Sequence, residues 1–320
     1  MMRLSRREFL IGSGVTALSF YPRLLPALQS TSDWHELNRP MIGTFVAIGI
    51  YHADRTAALA LIEGCFDYFS SLLPAISTWD EGGVPLRLAE KRSLKASEIP
   101  EALKRSILIG QKILQLTGAF NILSQPITSL WKEAKACLSI PSQRDINTAL
   151  DQVTRSHITF GSDLSITGTA SFDLDGIGQG VLADCCAEYL QAQGIQQGRI
   201  DIGGDLRFIG DTVWKIEIED PRRERITKTI TVNGALGVCT SGDSRNYWFV
   251  NGRRYHHLID LKSGYPANHN QQVTVVAPNA TLADALASAL FLLPEKHMRM
   301  IISSLKGIQL FAVDRDGRRL

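Results

Sequence analysis

The stretch that decides the fold class is residues 199–239, which read RIDIGGDLRFIGDTVWKIEIEDPRRERITKTITVNGALGVC. Apolar and β-branched side chains recur there in short runs, and turn-forming residues such as Gly203-Gly204 separate the runs. This pattern predicts consecutive β-strands joined by turns. We expect strands over 199–202, 206–209, 214–219, 227–232 and 235–239.

Helical periodicity lies on both sides of this run. Apolar residues spaced by three and four predict helices over 55–73, 103–117, 184–193 and 280–293, and a short helix from Glu295. Further strands are predicted over 44–51, 272–277 and 308–313. Because strands and helices do not alternate regularly, the pattern favours an α+β fold over a doubly wound sheet. We expect antiparallel sheets and packed helices in one compact, two-lobed domain over residues 30–320.

The composition is that of a globular protein with a substantial core. Of 320 residues, 44% are hydrophobic and 21% are charged. The 34 Lys and Arg nearly balance the 32 Asp and Glu, so the chain has no general field for nucleic acid. Five cysteines, two of them adjacent at 185 and 186, do not suggest a disulfide framework, and we expect most of them to be packed thiols.

The N-terminus resembles an export signal. Ser5-Arg6-Arg7-Glu8-Phe9-Leu10 matches the twin-arginine pattern, and a weakly apolar stretch of about a dozen residues follows, shorter than the roughly 20 that span a bilayer. We expect residues 1–29 to be a twin-arginine signal peptide. The mature chain is then periplasmic, without a transmembrane span.

A glycine-rich segment precedes the third predicted helix. Phe172–Gly180 contains Gly176, Gly178 and Gly180. A glycine loop that opens a helix can present backbone N–H groups to phosphate. The dinucleotide fingerprint G-x-G-x-x-G is not met, because Val181 occupies the third glycine position. A tight strand-to-helix turn remains equally compatible with the pattern.

Two oxygen-bearing side chains share one face of the predicted helix over 280–293. Asp284 and Ser288 are four residues apart. A carboxylate and a hydroxyl suit Mg²⁺, whose coordination substrate phosphates and water would complete. The spacing of Thr281 and Asp284 is also that of an N-terminal capping box, so the sequence leaves both interpretations open.

A histidine pair and a hydroxyl-rich segment could also carry chemistry. His256 and His257 are neighbours in an extended stretch, so they should face opposite sides and cannot easily bind one metal. One of them could be a base near neutral pH, although a lone histidine is more often structural. Thr240-Ser241-Gly242-Asp243 could bind phosphate, although an ordinary strand end has the same pattern.

Taken in order from Met41 to about Leu293, seven segments resemble the motifs of the ApbE family, the FAD:protein FMN transferases. The segments are Met41-Ile42-Gly43-Thr44, Thr117–Asn121 with Leu130-Trp131, Asp173–Asp184, Ile202–Asp205, Thr240–Asp243, His257–Pro266 and Asp284–Ser288.

The resemblance implies a T-fold-related architecture, FAD as substrate and Mg²⁺ as metal. It implies that FMN moves from FAD to a Thr or Ser hydroxyl of an acceptor redox protein, in a periplasmic or membrane-bound electron-transfer system, with release of AMP. Asp284 and Ser288, with the backbone carbonyl of Gly176, would bind the metal. His257 would be the catalytic group, as a base or an orienting residue. The implied FAD-binding residues are Met41, Trp79, Ala119, Phe120, Asn121, Asp173, Gln179 and Leu258.

Several positions depart from the family pattern. Gly83, Asn121, Gln179 and Ser288 stand where the family has Ser, Asp, Lys or Glu, and Thr, respectively. Ser288 keeps the hydroxyl, and Asn121 keeps an oxygen acceptor. These departures leave two alternatives open, a metal-dependent FAD pyrophosphatase and a non-catalytic flavin-binding accessory protein. The sequence also leaves open whether the chain forms a homodimer.

Overall fold

The computed structural model describes residues 33–320, so the predicted signal peptide lies outside the described part of the chain. The helices of this part are α1 (Arg55–Ile76), α2 (Val84–Lys91), α3 (Glu101–Thr117), α4 (Gln125–Ala136), α5 (Gln143–Thr154), α6 (Gly178–Ala192), α7 (Ala280–Phe291) and α8 (Glu295–Ser303). Its strands are β1 (Asp33–Met41), β2 (Thr44–His52), β3 (Ser93–Lys95), β4 (His157–Phe160), β5 (Asp163–Thr167), β6 (Gly198–Ile202), β7 (Asp205–Ile209), β8 (Val213–Glu219), β9 (Ile226–Asn233), β10 (Gly237–Gly242), β11 (Tyr247–Val250), β12 (Arg253–His256), β13 (Asn270–Ala277) and β14 (Gln309–Asp314).

A seven-stranded sheet forms the centre of the molecule. Its strand order is β1-β2-β6-β7-β10-β13-β14, and every neighbouring pair is antiparallel. Three smaller antiparallel sheets surround it: β3-β5-β4, β8-β9 and β11-β12. The α+β class with antiparallel sheets and packed helices is therefore confirmed.

Both faces of the central sheet are covered. Helices α6 and α7 pack together on one face, α6 against β6 and β7, and α7 against β10 and β13. The largest apolar cluster lies between these helices and the sheet and includes fully buried Ile48, Ile200 and Leu286. The β8-β9 hairpin covers the other face through a second cluster centred on Trp214. Burial on both faces explains why the middle of β2 is apolar and why β13 is buried almost throughout.

A third apolar cluster forms a smaller lobe. It joins α4 and α5 to the β11-β12 hairpin through Trp131, Trp248 and Tyr255. The Trp131 ring stacks on Tyr255 at a centroid distance of 5.6 Å, and its indole N–H donates to the carbonyl of Gly264 at 2.7 Å. Trp131 therefore anchors this lobe and fixes the position of α4.

Some predicted boundaries were wrong. Helix α6 begins at Gly178 rather than near Asp184, because Gly178 and Gly180 lie inside its first turn. Strand β10 continues to Gly242 instead of ending at Cys239, since Thr240–Gly242 pair with Gln272–Thr274 of β13. Helices α4 and α5 lie in a region where no element was predicted.

All five cysteines carry free thiols, and only Cys137 is exposed, which confirms the expected packed thiols for the other four. Within residues 33–320, one helix, α1, has the length and apolar character that a bilayer crossing requires. A core helix meets the same criterion, and α1 buries Ile62, Phe66 and Phe69 in the main cluster. It is therefore weak evidence for a span.

Candidate active site

A cavity of about 460 Å³ lies where the central sheet, the smaller lobe and the β8-β9 hairpin meet. Its volume is in the range of small-molecule sites. It is lined by α4, by the segment that leads into α6, by the inner face of α7 and by the ends of β7, β8, β10 and β13. Asp284, Ser288, Gly176 and His257 all line this one cavity, although they are distant in the sequence.

The start of α7 is fixed by residues outside the predicted capping box. Asn279 is the N-cap, and its side chain accepts from the backbone N–H of Leu282 at 2.8 Å. The buried carboxylate of Asp184, on α6, accepts from the backbone N–H groups of Ala280 and Thr281 at 3.0 and 2.8 Å. Thr281 Oγ1 also donates to Asp184, at 2.6 Å. The capping-box interpretation of Thr281 and Asp284 is therefore wrong. The side chain of Asp284 does not cap the helix and instead lines the cavity.

Asp284 is a buried carboxyl that no basic side chain of the described residues neutralises. Its Oδ2 accepts from the backbone N–H of Gly180 at 3.0 Å, and its residue is only 5% exposed. Burial, and next the charge of Asp205, raise the pKa of Asp284 well above its usual value. A buried carboxyl under such conditions favours either a proton or a bound cation.

The α6–α7 contact at this point depends on Gly180. A Cβ added there would lie 2.4 Å from the carbonyl oxygen of Ala280 and 2.9 Å from the Cβ of Asp284. We expect Gly180→Ala to lower the free energy of unfolding by about 1–3 kcal/mol, since the two helices would have to move apart.

Gly178→Ala is the matched control on the same helix. An added Cβ at Gly178 meets its nearest atom at 3.7 Å, which is an ordinary contact. This variant should unfold at the wild-type denaturant concentration or above it, because alanine favours helix formation. Equal stability of the two variants in urea titrations would contradict the proposed close contact.

Ser288 and Gly176 lie against each other beside Asp284. An added Cβ at Gly176 would lie 2.8 Å from Ser288 Oγ, so only a glycine allows this approach. Ser288 Oγ is also 3.1 Å from Ser241 Oγ of β10. The hydroxyl of Ser288 and the backbone of Gly176 are thus neighbours, as the predicted metal site requires.

The donor set fits a hard cation. Within residues 33–320 there is no cluster of three or more His, Cys, Asp or Glu side chains that could bind a metal. A cation would instead be held by one carboxylate and neutral oxygens, which leaves positions for phosphate oxygens and water and suits Mg²⁺. Asp205 adds negative potential to the same cavity: burial raises its pKa to about 7, and its Oδ1 accepts from the N–H of Thr240 at 3.2 Å.

The two histidines face opposite sides, as predicted. His256 is buried, and its Nε2 lies 2.7 Å from the carbonyl oxygen of Ala267. His257 lines the cavity, with Nδ1 3.3 Å from the carbonyl oxygen of Asn246. Burial, and next the neighbouring His256, lower the pKa of His257 to about 4. His257 is therefore a neutral imidazole at physiological pH and can accept a proton.

Most of the predicted flavin-binding residues also line the cavity. The set comprises Ala119, Phe120, Asn121, Asp173, Gln179 and Leu258. Asn121 Oδ1 accepts from the N–H of Leu123 at 2.9 Å, which shapes the turn before α4. Asp173 Oδ1 accepts from the N–H of Asp175 at 3.0 Å, and burial followed by the charge of Asp175 raises the pKa of Asp173.

Met41 and Trp79 do not line this cavity. Met41 ends β1 and packs against the main apolar cluster. Trp79 is 62% exposed, and the ammonium group of Lys132, a cavity residue, lies 4.5 Å from its ring centroid. The following loop explains Gly83, because an added Cβ there would lie 2.7 Å from the carbonyl oxygen of Ser77. The role of Met41 and Trp79 in FAD binding stays a prediction.

Three basic side chains at the cavity were not predicted. Lys132 and Lys135 come from α4, and Arg245 follows β10. Lys132 pairs with Asp175 at 2.9 Å, and Lys135 donates to the side chain of Asn246. A signal in the sequence could have identified the two lysines. The spacing of Ile127, Trp131 and Ala134 predicts a helix with one buried face, and both lysines lie on its other face.

Comparison with known proteins gives one consistent result. A relative from Escherichia coli K12 named FAD:protein FMN transferase is 27% identical over 312 residues, covering 91% of this chain and 87% of the relative. One of the same name from Vibrio cholerae is 34% identical over 194 residues, covering 56% of this chain and 57% of the relative.

Solved structures agree in fold. The crystal structure of the ApbE protein from Thermotoga maritima has a TM-score of 0.80 and 26% identity, covering 90% of this chain and 96% of that chain. The apo form of the Pseudomonas stutzeri flavinyl transferase ApbE has a TM-score of 0.76 and 26% identity, covering 90% and 93%. The sequence profile of the ApbE family matches residues 42–312, which is most of the chain. The sequence motifs, whose residues line one cavity, agree with this match. The chain therefore belongs to the ApbE family.

Proposed function

We propose that this protein is an FAD:protein FMN transferase that requires Mg²⁺. The oxygen of a Thr or Ser hydroxyl on an acceptor protein attacks the FMN phosphorus of FAD. The new P–O bond forms as the bond to the AMP phosphate breaks, so AMP leaves and the hydroxyl proton passes to a base. The product is an acceptor that carries FMN through a phosphoester.

The observation that carries this proposal is the position of Asp284. It is a buried carboxyl without a basic partner among the described residues, beside the Ser288 hydroxyl and the Gly176 backbone, in a cavity of about 460 Å³. When bound there, Mg²⁺ would neutralise phosphate oxygens and stabilise the charge that develops on the leaving phosphate. Asp284, Ser288 and the carbonyl of Gly176 are the groups that would hold it.

Other side chains would bind and orient the dinucleotide. Lys132, Lys135 and Arg245 line the cavity and would supply positive charge for a diphosphate. Phe120 and Leu258 offer apolar surface for a flavin ring. The Ser288 hydroxyl keeps the donor oxygen of the family's Thr, and the amides of Asn121 and Gln179 keep hydrogen-bonding capacity at their positions.

His257 is suited to receive the proton of the attacking hydroxyl. Its Nδ1 lies beside the carbonyl oxygen of Asn246, so a hydrogen on Nδ1 can donate to that oxygen. The other ring nitrogen, Nε2, is then the proton acceptor. Because the pKa of His257 is lowered to about 4, no proton has to leave the ring before the reaction at neutral pH.

The activity can be tested with purified mature protein, FAD, Mg²⁺ and a soluble acceptor domain that the Vibrio cholerae flavin transferase labels. We expect covalent flavin fluorescence on the acceptor in denaturing gels and AMP in equal amount. AMP without a labelled acceptor would instead indicate a pyrophosphatase. Tight FAD binding without AMP would indicate an accessory protein.

We propose further that the protein is exported to the periplasm by the twin-arginine route and labels acceptor redox proteins there. The support is the Ser5–Leu10 motif. Replacing Arg6 and Arg7 together by lysine should retain the full-length precursor in the cytoplasmic fraction. Unchanged processing and periplasmic recovery of this variant would contradict the proposed route.

A further inference from the structure

A short connection, residues 243–246, joins β10 to the β11-β12 hairpin. Its last residue, Asn246, lines the cavity. In the register of the hairpin this residue stands opposite His257, one position beyond the pair of Tyr247 and His256. The carbonyl oxygen of Asn246 lies 3.3 Å from Nδ1 of His257. The position of this β10-β11 connection therefore determines which way the imidazole ring of His257 points.

A buried ion pair holds the start of the β10-β11 connection. The carboxylate of Asp243 is buried and accepts from Nη1 and Nη2 of Arg222, at 2.6 Å and 2.6 Å. Arg222 belongs to the loop between β8 and β9. Arg254 of β12 donates to the backbone carbonyl of Asp243 as well. Paired charge-assisted hydrogen bonds are strong and directional, so Arg222 fixes both the position and the direction of the Asp243 side chain.

The end of the β10-β11 connection is held from two other sides. Arg245 donates to the carbonyl oxygen of Gly203, in the turn between β6 and β7, at 3.0 Å. Lys135 of α4 donates to the side chain of Asn246. The β8-β9 loop, β12, the β6-β7 turn and α4 thus fix the backbone whose carbonyl oxygen meets His257.

The pair of Arg222 and Asp243 lies outside the cavity lining, so it would not contact a substrate bound there. Stability alone does not account for the pair, because replacing a buried ion pair by apolar side chains of similar size is often neutral or stabilising. Removing one partner is different, since the other charge is then left buried and the segment that the pair held is released. The location of the pair, between the β8-β9 loop and the β10-β11 connection, points to a positioning role.

We propose that Arg222 is a positioning residue for FMN transfer: through Asp243 it holds the β10-β11 connection where the ring of His257 stays directed at the attacking hydroxyl. This inference rests on the proposed function and adds to it a residue outside the cavity. A base must lie within hydrogen-bond reach of the proton that it accepts, and a displacement of about 1 Å can lower a rate about a hundredfold. Release of the β10-β11 connection should therefore lower kcat and leave the binding of FAD and Mg²⁺ unchanged.

The test is a double-mutant cycle between Arg222 and His257, with the acceptor domain that the Vibrio cholerae flavin transferase labels as probe. We expect Arg222→Met to lower kcat about tenfold or more in the wild-type background. In the His257→Ala background the same substitution should change kcat by less than about twofold, because the ring that Arg222 positions is absent. The KM for FAD and the rise in Tm on addition of Mg²⁺ should equal those of the parent protein in both backgrounds.

Two further variants control for charge and for the loop. Arg222→Lys keeps the positive charge but lacks the planar fork that binds both oxygens of Asp243, so its kcat should lie between those of wild type and Arg222→Met. Arg225→Met removes a different ion pair from the same loop, the one with Asp220 at 2.9 Å, and should leave kcat unchanged. Circular dichroism establishes that each variant is folded, and Arg222→Lys replaces Arg222→Met in the cycle if the latter is not.

Equal losses of kcat in the wild-type and His257→Ala backgrounds would overturn the proposal, because Arg222 would then act on transfer independently of His257. Wild-type kcat in Arg222→Met, or a loss confined to the KM for FAD, would also overturn it. Failure of the wild-type protein to label the acceptor at all would instead overturn the proposed function, and the positioning role with it.

Discussion

Replacing Asp284 by alanine is expected to lower the rate of FMN transfer about a thousandfold or more. The proposed cation supplies several kcal/mol of charge stabilisation to phosphoryl transfer, and each step of about 1.4 kcal/mol is a factor of ten in rate. Asp284 is the single carboxylate among the groups we assign to this cation. The rate is measured as covalent flavin appearing on the acceptor at saturating FAD and Mg²⁺.

Asp284→Asn separates loss of the metal site from loss of the fold. The amide oxygen of Asn can still accept from the N–H of Gly180, which now donates to Asp284 at 3.0 Å. Because burial raises the pKa of Asp284, its ionisation opposes folding above the ordinary carboxyl pKa, and the metal-free protein loses stability as pH rises. Metal-free Asp284→Asn should therefore be at least as stable as wild type at pH 8.

Magnesium itself provides the second readout for this site. A ligand that binds only the folded state at 100 times its Kd adds about 2.7 kcal/mol of stability. Mg²⁺ should therefore raise the Tm of the wild-type protein and leave that of Asp284→Asn unchanged, whereas Ser288→Thr, which keeps the hydroxyl, should respond like wild type. Wild-type transfer rates in Asp284→Ala, or an equal Mg²⁺ response in Asp284→Asn, would disprove the assignment.

His257→Ala should lower kcat for transfer by about 10²- to 10⁴-fold, the usual contribution of general acid–base catalysis. FAD affinity should change little, because the proposed role concerns the proton of the attacking hydroxyl. At saturating Mg²⁺ the wild-type rate should fall towards pH 4, since the His257 ring, whose pKa is lowered to about 4, becomes protonated there. Protonation of the Asp284 carboxyl, whose pKa is raised by burial, lowers the rate in the same direction because it removes the carboxylate of the proposed cation site. In His257→Ala the part of this acidic limb that belongs to His257 should be absent, and the part that belongs to Asp284 should remain.

Acid also acts on the fold, so the pH profile needs a control. A histidine whose pKa is lowered in the folded state costs stability as pH falls below its unfolded value of about 6.5, because the unfolded chain then binds more protons. Rates should be recorded only where circular dichroism shows folded protein.

His256→Asn is the matched variant for this test. His256 contacts the carbonyl oxygen of Ala267 and the ring of Phe291 and does not line the cavity. It should lose about 1–3 kcal/mol of stability while transfer stays within a few-fold of wild type. An acidic limb in His257→Ala identical to that of the wild-type protein would show that another group accepts the proton.

The sequence alone was sufficient to predict those helices and strands that show a clear local pattern of apolar residues. Periodicity predicted α1, α3 and α7 and most strands of the central sheet, because apolar residues must return to the same face at intervals set by helix or strand geometry. The order of short motifs predicted which residues share a site. Asp284, Ser288, Gly176 and His257, which these motifs grouped together, line one cavity in the structure.

Local patterns failed where a distant partner decides. The spacing of Thr281 and Asp284 is that of a capping box, but Asn279 is the N-cap, and Asp184, 97 residues away from Thr281, accepts from the backbone N–H groups of the first turn. Glycines usually interrupt helices, so Gly178 and Gly180 suggested a loop, yet close packing of α6 on α7 requires Gly180 inside a helix. The unpredicted α4 carries Lys132 and Lys135 to the cavity because Trp131 is anchored in the smaller lobe.

By itself, the sequence determined the α+β class and the family membership that the ordered motifs suggested, because both are expressed in spacings of a few residues. For the oxygen donors of the proposed metal site it supplied a prediction. Only the tertiary structure decided that Asp284 faces the cavity without a basic partner among the described residues, against a backbone N–H that is 104 residues away. It also decided that Lys132 and Lys135 of the unpredicted helix α4 line the same cavity. These two features depend on which parts of the chain pack against each other and exclude water. Such packing joins residues that are far apart in the sequence, so local patterns cannot predict it.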